Sequence, residues 1–192
     1  MTDRTQEPLE NLSLASITAQ DRVAPNFKVY ELTKSELASR LGIDNNFSSD
    51  TELRNAVNLA RAVLQPIRNA LASTQGFTPN SVFRSQALER ALKNKPFGWI
   101  STSQHTTGCA CDIEIVGMST LELAQWAQHN LPDYDQIICE CFDPREGPNS
   151  GWVHISLKPP GQGANRKQLL SYIRDPDTGR LVYVDGLRES VA

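Results

Sequence analysis

The sequence predicts an α+β fold built as one domain. Helix-capping patterns with apolar residues at helical spacing fill the first half. From residue 105 onward, short runs rich in β-branched residues alternate with turns, and one further helix interrupts them. The connections between these runs are short enough to predict a mostly antiparallel sheet with helices packed on it.

The elements follow in order. Residues 1–24 are polar and carry no continuous apolar run behind a basic start, so a disordered tail is expected, with a short helix near Leu9 to Ala15. The alternation in Asn26–Leu32 predicts a short strand. Thr33-Lys-Ser-Glu36 predicts a capped helix ending near Gly42. Ser49-Asp-Thr-Glu52 opens the longest helical stretch, through Leu53, Val57, Ala60, Val63, Leu64, Ile67 and Leu71. Pro66 predicts a kink or break within it, and Gly76 ends it. Ser81-Val-Phe83 predicts a short strand leading to Arg84, and Gln86–Lys93 a short helix. Strands are expected over Cys109–Val116, Tyr134–Phe142 and Trp152–Leu157, with a helix capped by Ser119-Thr-Leu-Glu122 between the first two. Leu169–Ile173 and Leu181–Val184 flank Asp175-Pro-Asp-Thr-Gly179 and predict a terminal β-hairpin. The expected organisation is a tail at 1–24, a domain at 25–167, and a hairpin and tail at 168–192 packed on that domain.

Bulk properties exclude several function classes. A net charge of −3 and a pI near 5.6 argue against a general nucleic-acid or membrane-surface binder. No stretch reaches the roughly 20 apolar residues that span a bilayer. Four cysteines in two C-x-C pairs, 109/111 and 139/141, are too few for a disulfide scaffold of this length. Residues two apart on a strand share a face, so all four are expected to be small buried side chains behind a sheet; a cysteine-ligated structural metal is the alternative.

The chemistry concentrates in a few residues. There are only three histidines. His105 lies in a polar loop, Asp112 inside the strand that follows, and His154 inside a later strand. Two imidazoles and one carboxylate suit a catalytic zinc that keeps one position open for water. Each residue alone also fits a satisfied structural role. Asp112 interrupts an apolar run, where an unpartnered carboxylate is costly, so it needs a partner on the face opposite Cys111 and Ile113. His129 is expected to face solvent from a helix. Phe97, Trp99 and Ile100 either wall a cleft or anchor a loop by packing.

Ser103-Gln-His-Thr-Thr-Gly-Cys-Ala-Cys-Asp112 resembles the S-x-H-x-x-G-x-A-x-D signature of the zinc D-Ala-D-Ala carboxypeptidases. That family includes the VanX dipeptidases and the phage L-alanyl-D-glutamate endopeptidases, and it shares its fold with the hedgehog signalling domain. Trp152-Val-His-Ile-Ser156 is similar to the family's second metal motif, and Phe83-Arg-Ser85 to the Y-R-S element before the first. Phe27–Glu36, Leu64–Arg68 and Tyr134–Glu140 resemble the phage and prophage-type branch, so the similarity runs over Asn26 to Lys167.

This resemblance implies a hedgehog/DD-peptidase fold and one zinc ion held by His105, Asp112 and His154. It implies a peptidoglycan stem peptide as substrate and Arg84 as the cation that stabilises the oxyanion. Ser103, Gln104 and Trp152 are expected to orient ligand or substrate. One position departs from the pattern: relatives carry an acidic base three residues before the second histidine, where this chain has Gly151. Glu140 is the expected replacement, because alternation points it away from Cys139 and Cys141, and Glu146 is second choice. Gly151 also keeps a rival reading open, a non-catalytic module that binds cell-wall peptide or a protein. The bond cut is either D-Ala-D-Ala or L-Ala-D-Glu. A monomer without a signal peptide is expected, made in the cytoplasm and delivered to the wall by phage or prophage-type release.

Overall fold

The computed structural model describes residues 1–71 and 76–189. Its centre is a five-stranded sheet in the order β3-β5-β4-β6-β7, formed by Ala110–Ile113 (β3), Gln136–Glu140 (β4), Trp152–Ser156 (β5), Gln168–Arg174 (β6) and Leu181–Asp185 (β7). Three of the four pairings are antiparallel, and β4 and β6 run parallel. The expected terminal hairpin is β6 and β7. It is continuous with the sheet through β4 and is not an appendage on a finished domain. Alternation sorts the two faces: Cys111, Ile113, Ile137, Cys139, Val153 and Ile155 point into the core. Their neighbours on each strand point to the opposite side, where the cleft lies.

The core face is covered by helices. Ser49 and Glu52 make the expected capping box at the start of α3 (Asp50–Leu59), the Ser49 hydroxyl accepting from Glu52 N–H. Leu53, Ala56, Val57, Leu59, Ala60, Val63, Leu64 and Ile67 are fully buried along this helical rod. Pro66 does not break it. The turn Ala60–Leu64 widens, so that Gln65 N–H bonds to Ala60 O five residues back, before the rod continues as α4 (Gln65–Leu71). A widened turn just before a proline accommodates the residue that cannot donate. The expected end of this stretch, up to Gly76, includes residues 72–75, which lie outside the described residues. The helix α6 (Thr120–Asn130), capped by Ser119, packs on β4 and β5.

Several expectations needed correction. The disordered tail at 1–24 is ordered. Leu12 is fully buried in the core, and Arg22–Ala24 (β1) pairs with Phe27–Lys28 (β2). Two helix arginines hold the segment by its carbonyls: Arg54 donates to Leu12 O, and Arg61 to Val23 O, Glu7 O and Arg4 O. Buried Asp21 accepts from Thr2 N, Thr18 N and Arg4 Nε. Backbone capture of this kind leaves no hydrophobic period in the sequence. The expected helix near Leu9 is a single tight turn, Leu9–Asn11.

The strand expected over Asn26–Leu32 stops after Lys28, where Glu31 accepts from Lys28 N–H and starts α1 (Val29–Thr33). Ser35, not Thr33, caps α2 (Glu36–Leu41), which ends on left-handed Gly42 as expected. Ser81 makes one bridge to Asp112 in place of a strand. Cys109, Cys111 and Cys139 are buried free thiols, but Cys141 is only half-buried because its φ of 58° turns the chain out of β4. Among the described residues no helix is long and apolar enough to cross a membrane.

Candidate metal centre

The site is assembled from a strip of chain laid along β3. Asn80 N donates to Asp112 O and Asp112 N to Ser81 O, which fixes the strip's register. Buried Asn45 then pins its far end, donating to Thr33 O and Phe83 O and accepting from Ser85 N. Ser85 caps α5 (Gln86–Leu92). Arg84 is thereby held between two fixed points and aimed at β3.

His105 sits in a single turn, Gln104–Thr107, closed by left-handed Gly108. A side chain at Gly108 would meet Glu52 O of α3 at 2.5 Å, so only glycine lets the turn approach that helix. Asn55 of α3 donates to Thr107 O, and Arg84 N donates to His105 O. His105 Nδ1 donates to Val82 O at 2.7 Å. That bond leaves the Nε2 lone pair facing inward, the form a metal ligand requires. Burial lowers the His105 pKa, which keeps the ring neutral.

Asp112 and His154 stand directly opposite each other on β3 and β5. His154 Nδ1 lies 3.0 Å and His105 Nε2 3.1 Å from Asp112 Oδ1, and the two nitrogens are 3.2 Å apart. Tetrahedral ligands on bonds of 2.0–2.1 Å stand about 3.3 Å apart, so three edges of such a polyhedron are already formed. Lone pairs from three donors converging on one point are unfavourable unless a cation joins them. This donor set fits a divalent metal. Asp112 is buried, which alone would raise its pKa; the neighbouring His105 and His154 hold it well below the ordinary carboxylate range. Its second oxygen, Oδ2, accepts from Arg84 Nη2, which also reaches His105 Nε2 at 2.9 Å.

Arg84 has a partner that the sequence did not reveal. Its Nη1 donates to Glu89 Oε1 at 2.9 Å and its Nε to Ser81 Oγ at 2.8 Å. Glu89, on α5, is fully buried and also accepts from Lys93 Nζ and Ser101 Oγ. Burial would raise its pKa; Lys93, Ser101 and Arg84 together keep it below the usual range. In the sequence Glu89 is only one residue of the short helix expected over Gln86–Lys93.

Glu140 lies on the cleft face of β4, opposite Trp152. It is therefore a diagonal neighbour of His154, at a backbone separation of about 7–8 Å that a glutamate can bridge. Burial raises its pKa, with His154 pulling it down, Asp112 pushing it up and Arg84 opposing. Gly151, the departure from the expected acidic position, has a φ of +71°. A Cβ there would fall 1.9 Å from Glu140 O, so no acidic side chain fits. Glu146 is exposed in its loop and does not line the cavity.

These groups share one cavity of about 450 Å³. His105, Asp112, His154, Arg84 and Glu140 line it, as do the expected Ser103, Gln104 and Trp152. Gln104 is steadied by Asp135, and the Trp152 indole N–H is buried with no hydrogen-bond partner among the described residues. The sequence reading missed Lys93, Tyr172 and Tyr183 in the lining. Phe97, Trp99 and Ile100 lie outside it, and Phe97 is almost wholly exposed, so it neither walls the cleft nor anchors the loop. His129 is exposed, its Nδ1 donating to Gln125 O of its own helix.

The protein-family model described as Peptidase M15 matches residues 25–156, most of the chain. No curated protein and no solved structure matches it.

Proposed function

Because the chain belongs to the peptidase M15 family, whose members are zinc-dependent, we propose that it is a zinc peptidase that hydrolyses a stem-peptide bond of peptidoglycan. The observation that carries this reading is the meeting of His105 Nε2, Asp112 Oδ1 and His154 Nδ1 within 3.0–3.2 Å of one another. These three residues would hold one zinc ion, which when bound supplies Lewis acidity and a water of near-neutral pKa.

The chain's own groups supply the rest. Glu140 takes a proton from the attacking water and returns it to the leaving amine. Its raised pKa brings it nearer the operating pH, where transfer in both directions is efficient. Arg84, fixed by Glu89 and Ser81, stabilises the negative charge that develops on the scissile carbonyl oxygen. Ser103, Gln104 and Trp152 orient the peptide in the cleft. The chain acts as a monomer at the cell wall.

The test uses the protein loaded with one equivalent of zinc and synthetic stem peptides ending in D-Ala-D-Ala or containing L-Ala-D-Glu. Mass spectrometry of the products identifies the bond. Cleavage of either, lost in Glu140→Gln with zinc retained, is expected. Zinc binding without cleavage of any stem peptide or of purified peptidoglycan would leave a non-catalytic binding module.

A further inference from the structure

The cavity runs past Glu140 to two side chains that neither the metal donors nor the proton transfer uses. Tyr172 on β6 stands opposite Glu140, and Tyr183 on β7 stands opposite Tyr172. Trp152, Glu140, Tyr172 and Tyr183 thus form one row across four strands on the cleft face. The tyrosine rings stack with centroids 4.4 Å apart and planes 30° from parallel. Both line the cavity, and Tyr183 is 59% exposed. The hairpin that carries them lies beyond residue 156, outside the family match.

The distance of this pair from the donors limits what can touch it. Strands repeat at about 4.8 Å, so β7 stands about 14 Å from β5 and His154. An extended peptide covers about 3.4 Å per residue. A substrate that lies at the donors and also covers Tyr183 must extend across the strands between them. Only a longer or glycan-bearing substrate spans both.

The chemistry of the pair selects the remote group. The π-face of a tyrosine is electron-rich and takes polarised C–H groups, while its hydroxyl donates and accepts hydrogen bonds at the edge. A pyranose ring offers C–H groups on its face and hydroxyls around its rim. Packing of the two rings on each other limits the freedom lost on binding. We propose that Tyr172 and Tyr183 form a remote subsite that stacks against a sugar ring of a glycan-linked peptide. The proposal rests on the peptidase reading of the cleft for the identity of the attached peptide.

The test measures binding without turnover. With zinc removed by a chelator, calorimetry compares a stem peptide with the same peptide attached to an N-acetylhexosamine disaccharide. Wild type is expected to prefer the glycan-linked form about five- to tenfold, the scale of one aromatic stacking contact. Tyr183→Ala should erase that preference and leave the free-peptide affinity unchanged, while Tyr183→Phe retains most of it. Tyr183 is exposed on an edge strand, so the variant folds, and circular dichroism verifies this. Equal affinities in wild type, or a preference that survives Tyr183→Ala, would overturn the subsite. Cleavage of the free peptide by the zinc-loaded protein is scored separately. Its absence alongside a Tyr183-dependent preference would sink the peptidase reading and leave the sugar site standing.

Discussion

Gly151 and Glu140 are locked together: the α-carbon of the glycine lies so close to the glutamate's carbonyl that a methyl group would stand 1.9 Å from the oxygen. The position three residues before His154 is closed to a side chain by backbone, and the adjacent strand presents a carboxylate instead. Introducing the missing acid should therefore damage the protein. Gly151→Asp combines this clash with a φ of +71° and is expected to cost about 3 kcal/mol or more. For a chain of this size that lowers Tm by about 6–12 °C in a thermal melt. An unchanged Tm, or activity above wild type, would contradict the assignment of Glu140 as the replacement.

Glu140→Gln tests the same carboxylate kinetically. A positioned base contributes about 10²–10⁴-fold, so kcat should fall by that factor while bound zinc stays near one per chain. The base works only when ionised, and burial raises its pKa. Wild-type activity should thus rise with pH across a limb lying above about 4.3, the ordinary glutamate value. That limb should be missing from the residual activity of the variant.

The donor cluster predicts a ligand effect on stability. Zinc at 100 times its Kd should stabilise the fold by about 2.7 kcal/mol. The corresponding rise in Tm is about 5–11 °C. In His154→Ala, which removes one of the three converging donors, scanning calorimetry should show little or no rise and elemental analysis after dialysis should show metal loss. A full zinc-induced shift in that variant would place the metal elsewhere.

Glu89 is expected to act through Arg84. Glu89→Gln keeps the shape but removes the charge facing the guanidinium, so kcat should drop about 10- to 100-fold from misplacement of Arg84, with KM little changed. Glu89→Ala leaves the partly buried Arg84 with Asp112 as its remaining carboxylate and should destabilise by about 1–3 kcal/mol in denaturant titration. A KM effect without a kcat effect would assign Glu89 to peptide binding.

The ordered N-terminal segment carries a pH signature. Burial would raise the Asp21 pKa, but the N–H groups of Thr2 and Thr18 and the Arg4 guanidinium hold it far below the usual value. Its folded pKa is depressed, so its stabilisation is full above about 3.9. It is lost as pH falls through the lower folded value. Asp21→Asn should loosen this segment at neutral pH, with faster tryptic cleavage at Arg4 and Arg22. Equal cleavage rates would show that Arg54 and Arg61 hold the segment unaided.

Legibility from sequence followed the range of the forces. Capping at Ser49 and Ser119 is local and was readable, as were the strand periods that put Asp112, Glu140 and His154 on one face. The donor set was readable because histidine is scarce and its flanking motifs are specific. Long-range polar capture was not. The hold of Arg61 on carbonyls more than thirty residues away depends on folded geometry alone. The tyrosine wall was missed for a related reason: its hairpin was recognised, but nothing local announced that β6 joins β4 in parallel and so borders the cleft.

The mixed sheet separates two jobs. Asp112, Glu140 and His154 are braced by paired strands whose reverse side is solid core, whereas Thr102 and Ser103 along the rim belong to a connection outside that lattice. Exchanges in that connection can alter which substrates gain entry without disturbing the three strand-borne groups. New substrate preferences are therefore accessible to this scaffold by changing its margins alone.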